Sequence, residues 1–125
     1  MGDMTLGEML AMQQQLQEKY KGKWEPIGPA TGKNKLLWMV GEVGEVAEII
    51  KKNGHERIME QGPVRAHFVE EMADVLMYYG DIMNCFSITP EELKTSYTEK
   101  FQRNMERRCA GGDPHAARVG RTHAG

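Results

Sequence analysis

Two acidic pairs are placed to do chemistry: Glu42-Val43-Gly44-Glu45 and Glu71-Met72-Ala73-Asp74. Each is spaced i, i+3, so on a helix both carboxylates share one face. Each also lies inside an otherwise apolar segment. Like charges on one face repel, and carboxylates among apolar neighbours are costly to desolvate. A divalent cation resolves both problems, and an all-oxygen donor set suits Mg²⁺, Mn²⁺ or Ca²⁺. Mg²⁺ with few dedicated ligands commonly binds together with substrate phosphates. Carboxylate-held metal that clamps phosphate oxygens and activates a water would hydrolyse a phosphoanhydride.

Other chemistries find no motif. A di-iron carboxylate site needs Glu-x-x-His on two helices, and no Glu here has His three residues later. There is no Gly-rich phosphate loop, nucleophile elbow or Cys/His zinc pattern. Cys85 and Cys109 are too few for a disulfide framework. The 125 residues suffice for one domain, with 40% hydrophobic and 27% charged residues, as in ordinary globular proteins. A net charge of −2 argues against a nucleic-acid partner held by bulk positive charge. With no run of 18 apolar residues and no signal-peptide core, the expectation is a cytoplasmic protein with no membrane partner.

The elements that must position the carboxylates are helices. Thr5-Leu6-Gly7-Glu8 has the form of a capping box, and helical spacing continues to Tyr20, with Gln13 at the edge of the apolar stripe. Residues 21–33, rich in Gly and Pro, form a loop carrying Trp24, a packing anchor or a base-stacking residue. A second helix is expected over 34–53, stopped by Gly54. Leu36, Val40, Val43, Ala47 and Ile50 give it one core stripe, and Trp38, Met39, Val46 and Ile49 a second apolar sector. Glu42 falls inside that second sector, where a solvated face cannot explain it.

Residues 54–63 connect to a third helix over about 64–85, with Pro63 as its possible first residue. Apolar side chains cover most of its circumference, so it is expected to be buried and central. The remaining arc holds His67, Glu70, Glu71, Asp74, Tyr78 and Asp81, with no Lys or Arg to pair them. Thr89-Pro90-Glu91-Glu92 starts a fourth helix over about 90–108, which carries Leu93, Tyr97, Lys100, Asn104 and Arg107 roughly on one face. Residues 109–125 lack apolar periodicity and are expected to be a flexible tail. Short connections between four helices imply an all-α four-helix bundle, with 1–108 as its domain.

The runs LLWMVGEVGEVAEII, VEEMADVLMYYGDIM and KFQRNMERR resemble the MazG-type nucleotide pyrophosphohydrolases. That all-α superfamily includes dUTP and dCTP pyrophosphatases and phosphoribosyl-ATP pyrophosphohydrolases. The resemblance spans about residues 30–108 and covers E-x-x-E, E-x-x-D and K-x-x-x-N. It implies cleavage of a nucleoside triphosphate between the α and β phosphates, giving the monophosphate and pyrophosphate. Glu42, Glu45, Glu71 and Asp74 would hold Mg²⁺, with Glu42 or Glu45 the choice for activating water. Lys100 would neutralise phosphate charge, Asn104 and Arg107 would hydrogen-bond phosphate oxygens, and Asn34 would face the nucleotide. Trp38 or Trp24 would stack on the base. The resemblance also implies oligomers, a homodimer or homotetramer with helices packed across the interface. The alternatives are the phosphoribosyl-ATP reaction and a non-catalytic helical interaction protein with a structural cation.

Overall fold

The computed structural model describes residues 2–107. It is all-α, with four helices and no strand among the described residues: α1 (Leu6–Lys19), α2 (Gly32–Met59), α3 (Pro63–Cys85) and α4 (Pro90–Glu106). The chain divides into two compact units, one ending at Thr89 and the other beginning at Pro90. The expected tail, 109–125, lies outside the described residues.

The start of α1 is fixed by the capping box that the sequence announces. The Glu8 amide donates to Thr5 Oγ1 and the Thr5 amide to Glu8 Oε1, both at 3.0 Å. Those reciprocal bonds satisfy two of the amides a helix start leaves open and contribute about 1 kcal/mol. After α1, Trp24 folds back onto Tyr20, ring on ring at 4.4 Å and 17°. A turn through Gly22, at φ 87°, makes that return possible. A single 3₁₀ turn, Pro29–Thr31, leads directly into α2.

The second helix starts two residues earlier than the spacing predicts, and Gly54 interrupts it without ending it. Gly54 sits at φ 75°, ψ 161°, a conformation essentially reserved for glycine, and helical geometry resumes as far as Met59. α3 begins at Pro63, as expected of a residue with no amide to leave unpaired.

α2 and α3 pack as an antiparallel pair, and α1 lies against α3. The first helix packs against α3 at Gly80, where an added Cβ would touch Gln13 Cγ and Leu10 Cδ2 at 3.4 and 3.5 Å. The buried apolar core consists of Leu10, Ile49, Ile58, Met83 and Cys85.

Two packing expectations need correction. Leu36, Val40, Val43 and Ile50, read as the core stripe of α2, are 45–56% exposed. The inward face is the second sector, from Lys35 through Met39, Glu42 and Val46 to Ile49. Likewise α3 is not buried all round, since Val69, Met72, Leu76, Met77 and Tyr79 are exposed and the buried residues cluster at Gly80, Asp81, Met83 and Cys85. The physical reason is arithmetic of surfaces. Each helix carries two apolar sectors, and three short helices supply partner surface for only one of them.

Candidate functional site

On α2, Lys35, Trp38, Glu42, Val46 and Ile49 repeat at steps of three and four, and so share one face. On α3 the matching face carries Glu71, Asp74, Tyr78 and Asp81. Antiparallel packing sets the two faces opposite each other in register: Lys35 against Asp81, Trp38 against Tyr78, and Glu42 against Glu71 and Asp74. Three of the four expected carboxylates therefore converge. Glu42, Glu71 and Asp74 each offer a ligand oxygen, and these oxygens lie within 4.8 Å of one another. Glu45 is exposed and lies outside that group, though its charge acts on Glu42.

Electrostatics record the crowding. A hydrogen bond shared with Glu71 pushes the Glu42 carboxyl up to about 6 from its ordinary 4.5, helped by burial and by the charges of Glu71, Asp74 and Glu45. Burial raises Asp74, with Glu71 and Glu70 adding to it. Burial also raises the Tyr78 hydroxyl, next to Glu42, Asp81 and Asp74. His67 Nε2 lies 3.2 Å from Glu71 Oε1 and flanks the group. Three carboxylates forced together, one of them holding its proton towards neutral pH, are a donor set that fits a hard divalent cation.

Glu42 and Asp74 also line a cavity of about 510 Å³, whose walls include Trp24, Trp38, Tyr78 and Lys35. That volume falls in the range of small-molecule sites. Trp38 meets Tyr78 edge to face at 6.1 Å. Both tryptophans thus line one space, and Trp24 packs on Tyr20 while still presenting surface to it. Asn34 does not line the cavity. Its amide donates to both carboxylate oxygens of Glu25, at 3.1 and 3.0 Å, and Glu25 is part of the wall.

The remaining expected residues lie on α4, in the second unit. Lys100 and Asn104 line a shallow depression with Leu93, Ser96, Tyr97 and Phe101, as their spacing predicts. Asn104 Oδ1 is buried without a hydrogen-bond partner. Arg107 follows the last helical residue and its amide donates to the Arg103 carbonyl.

A family model, the MazG nucleotide pyrophosphohydrolase domain, matches residues 30–109. The chain belongs to this family. The matched stretch contains all four carboxylates together with Lys100, Asn104 and Arg107, whereas Gln13 and Trp24 lie before it. That family is described as one of nucleotide pyrophosphohydrolase domains. An uncharacterized protein of Schizosaccharomyces pombe (strain 972), wtf12, is 35% identical over 83 residues, covering 66% of this chain and 41% of that protein. The chain thus spans about two fifths of that relative, whose name states no activity. No solved structure matches the chain. No helix among the described residues is long and apolar enough to cross a membrane.

One group beside the carboxylates is not marked by residue spacing. Lys35 is 3% exposed, its Nζ 3.3 Å from Asp81 Oδ2, and Gln13 Nε2 donates to Asp81 Oδ1 at 2.9 Å. Asp81 was legible only as one more member of an acidic arc, and Gln13 as the edge of a stripe. The available signal is the period of α2: Lys35 lies on the same sector as Glu42, about two turns earlier, and a lysine on an inward sector needs a partner.

Proposed function

We propose that this MazG protein is a Mg²⁺-dependent nucleoside triphosphate pyrophosphohydrolase. It cleaves the α–β phosphoanhydride of an NTP or dNTP to the monophosphate and pyrophosphate, and so removes nucleotides from the cytoplasmic pool. The observation that carries this reading is the convergence of Glu42, Glu71 and Asp74, two of which line an aromatic-walled cavity. A nucleotide has the complementary layout, an anionic tail and a flat base.

Glu42, Glu71 and Asp74 would hold Mg²⁺ or Mn²⁺, with Glu45, one turn along α2, completing the set. When bound, such an ion would supply positive charge for the phosphate oxygens and lower the pKa of a water. Water oxygen attacks the α-phosphorus, the bond from that phosphorus to the bridging oxygen breaks, and pyrophosphate leaves. Glu42 or Glu45 takes the proton of the attacking water. A carboxylate titrating at about 6, as Glu42 does, is a better proton acceptor near neutral pH than an ordinary one. Lys100, Asn104 and Arg107 serve the phosphates, and Asn34 orders the loop through Glu25. Trp38 or Trp24 stacks on the base. The domain runs to residue 108, and the exposed apolar stripes of α2 and α3 are covered in a homodimer or homotetramer.

The test is pyrophosphate release by the purified protein with Mg²⁺ from a panel of NTPs, dNTPs and phosphoribosyl-ATP. Release from none of them overturns the reading. Full activity in Glu71→Gln overturns the assigned site even if the reaction stands.

A further inference from the structure

The acidic arc of α3 holds Glu70, Glu71, Asp74 and Asp81, and the helix has two side chains able to carry positive charge, Arg65 and His67. Arg65 is engaged elsewhere, its Nη1 donating to the Ile58 carbonyl at 3.2 Å. His67 meets the arc itself. Its Nε2 lies 3.2 Å from Glu71 Oε1, one helical turn along.

Burial sets this contact apart from the other short-range ion pairs. Lys52–Glu48 and Arg57–Glu60 are exposed at both ends. In His67–Glu71 the imidazole is 56% exposed but the carboxylate only 16%. Such a pair, with one end in water, adds little to helix stability. Its effect falls on Glu71. The last torsion of a glutamate side chain is soft, with broad wells, so a carboxylate held at one oxygen is ordered where an unheld one is free to turn.

The geometry separates this contact from ligation. Oxygens of Glu42, Glu71 and Asp74 lie within 4.8 Å of one another, and the His67 nitrogens fall outside that group. His67 does not line the aromatic cavity either, so it is not set against a substrate there. An ionised carboxylate only accepts, so Nε2 carries the hydrogen and donates it to Oε1. A carboxylate that ligates a metal and is held by an outer hydrogen bond presents its oxygens in one orientation. Loss of such a partner typically costs about 10- to 100-fold in metal affinity.

We infer that His67 is a positioning residue for the cation: its Nε2–H holds Glu71 Oε1 and so orders the group formed by Glu42, Glu71 and Asp74. The inference rests on the proposed function for its premise that this group binds a divalent cation. It does not depend on which nucleotide is cleaved. His67 is neither a ligand nor a participant in proton transfer.

The experiment titrates Mn²⁺ calorimetrically into the wild-type protein, His67→Ala and His67→Gln at a pH of about 7.5, where imidazole is mostly neutral. The metal-free thermal midpoint of each is read alongside. His67→Ala should bind Mn²⁺ about tenfold more weakly, at the low end of the range because the imidazole is more than half exposed. His67→Gln, whose amide can donate from the same turn, should stay within about threefold of wild type. Both metal-free midpoints should stay within about 4 °C of wild type. Pulsed electron paramagnetic resonance of the Mn²⁺-loaded protein should show no metal-bound nitrogen that His67→Ala removes. Equal affinity in wild type and His67→Ala overturns the inference and leaves the cation site standing. A loss in His67→Gln as large as in His67→Ala overturns it, and so does a bound nitrogen that disappears in His67→Ala, which makes His67 a ligand. A larger fall in the midpoint of His67→Ala marks a structural role and also overturns it. The expected affinities without pyrophosphate release from any nucleotide support it while overturning the proposed reaction. A wild-type protein that binds no Mn²⁺ overturns both.

Discussion

Lowering the pH from 7 to 5 should weaken binding of Mg²⁺ or Mn²⁺ about tenfold, and Glu42 is the reason. Its carboxyl titrates at about 6 because it shares a hydrogen bond with Glu71, is partly buried, and faces the charges of Glu71, Asp74 and Glu45. A metal ligand must be deprotonated, so the ion and this proton compete. At pH 7 a group titrating at about 6 is about nine-tenths charged, and at pH 5 about nine-tenths protonated, a tenfold change in the binding-competent fraction. The same proton acts on the metal-free fold with a definite sign. Between about 4.5 and 6 the folded carboxyl keeps a proton that the unfolded one releases, so stability is greatest below that window and is lost as pH rises through 6. At about 1.4 kcal/mol per unit the loss is at most about 2 kcal/mol, and about half of that after solvent screening of a partly exposed group. Isothermal titration with Mn²⁺ at pH 5, 6 and 7 reads the first effect, and chemical denaturation without metal reads the second. In Glu42→Gln the affinity is lower at pH 7 and its pH dependence flattens. An affinity that does not change between pH 5 and 7 in the wild-type protein would refute the reasoning.

Glu71→Gln should abolish pyrophosphate release, by at least about 100-fold, together with Mn²⁺ binding measured calorimetrically, because it removes a ligand from the centre of the converging group. Glu45→Gln should lower kcat by a similar factor and weaken Mn²⁺ binding less than Glu71→Gln does, since Glu45 lies outside the converging group; equal losses of affinity in the two variants contradict the assignment. Val40→Asp, in the exposed stripe of α2, should shift the mass measured by light scattering from a multiple of 14.2 kDa to the single chain, and a wild-type protein already monomeric at micromolar concentration refutes the covered stripe. Gly32→Ala should cost about 1–3 kcal/mol in thermal unfolding, because the new methyl would overlap the Phe86 ring and the ring must move; an unchanged Tm contradicts that packing.

Much of the site could be read from residue spacing, and the failures have a common cause. Thr5 and Glu8 announce the first helix because a capping box is local, built from atoms three residues apart. Pro63 and Pro90 mark helix starts for the same kind of reason. Glu42 was conspicuous because period alone places it on an apolar sector. Lys35 was not, because its meaning lies in Asp81 and Gln13, which come from two other helices. The core stripe of α2 was assigned to the wrong sector because a helix with two apolar sectors does not say which one meets α3. Only the pairing of Lys35 with Asp81 and of Trp38 with Tyr78 fixes that rotation.

By itself, then, the sequence determined the all-α class, the starts of α1, α3 and α4, and two acidic pairs set among apolar residues. All of these depend on neighbours within one or two helical turns, where backbone geometry is fixed. The tertiary structure decided which carboxylates converge, that Glu42 rather than Glu45 meets Glu71 and Asp74, and that a buried lysine sits among three aromatic rings in the wall of the cavity that Glu42 and Asp74 also line. Those facts depend on the rotation and register of α2 against α3, which long-range packing sets and local spacing leaves open.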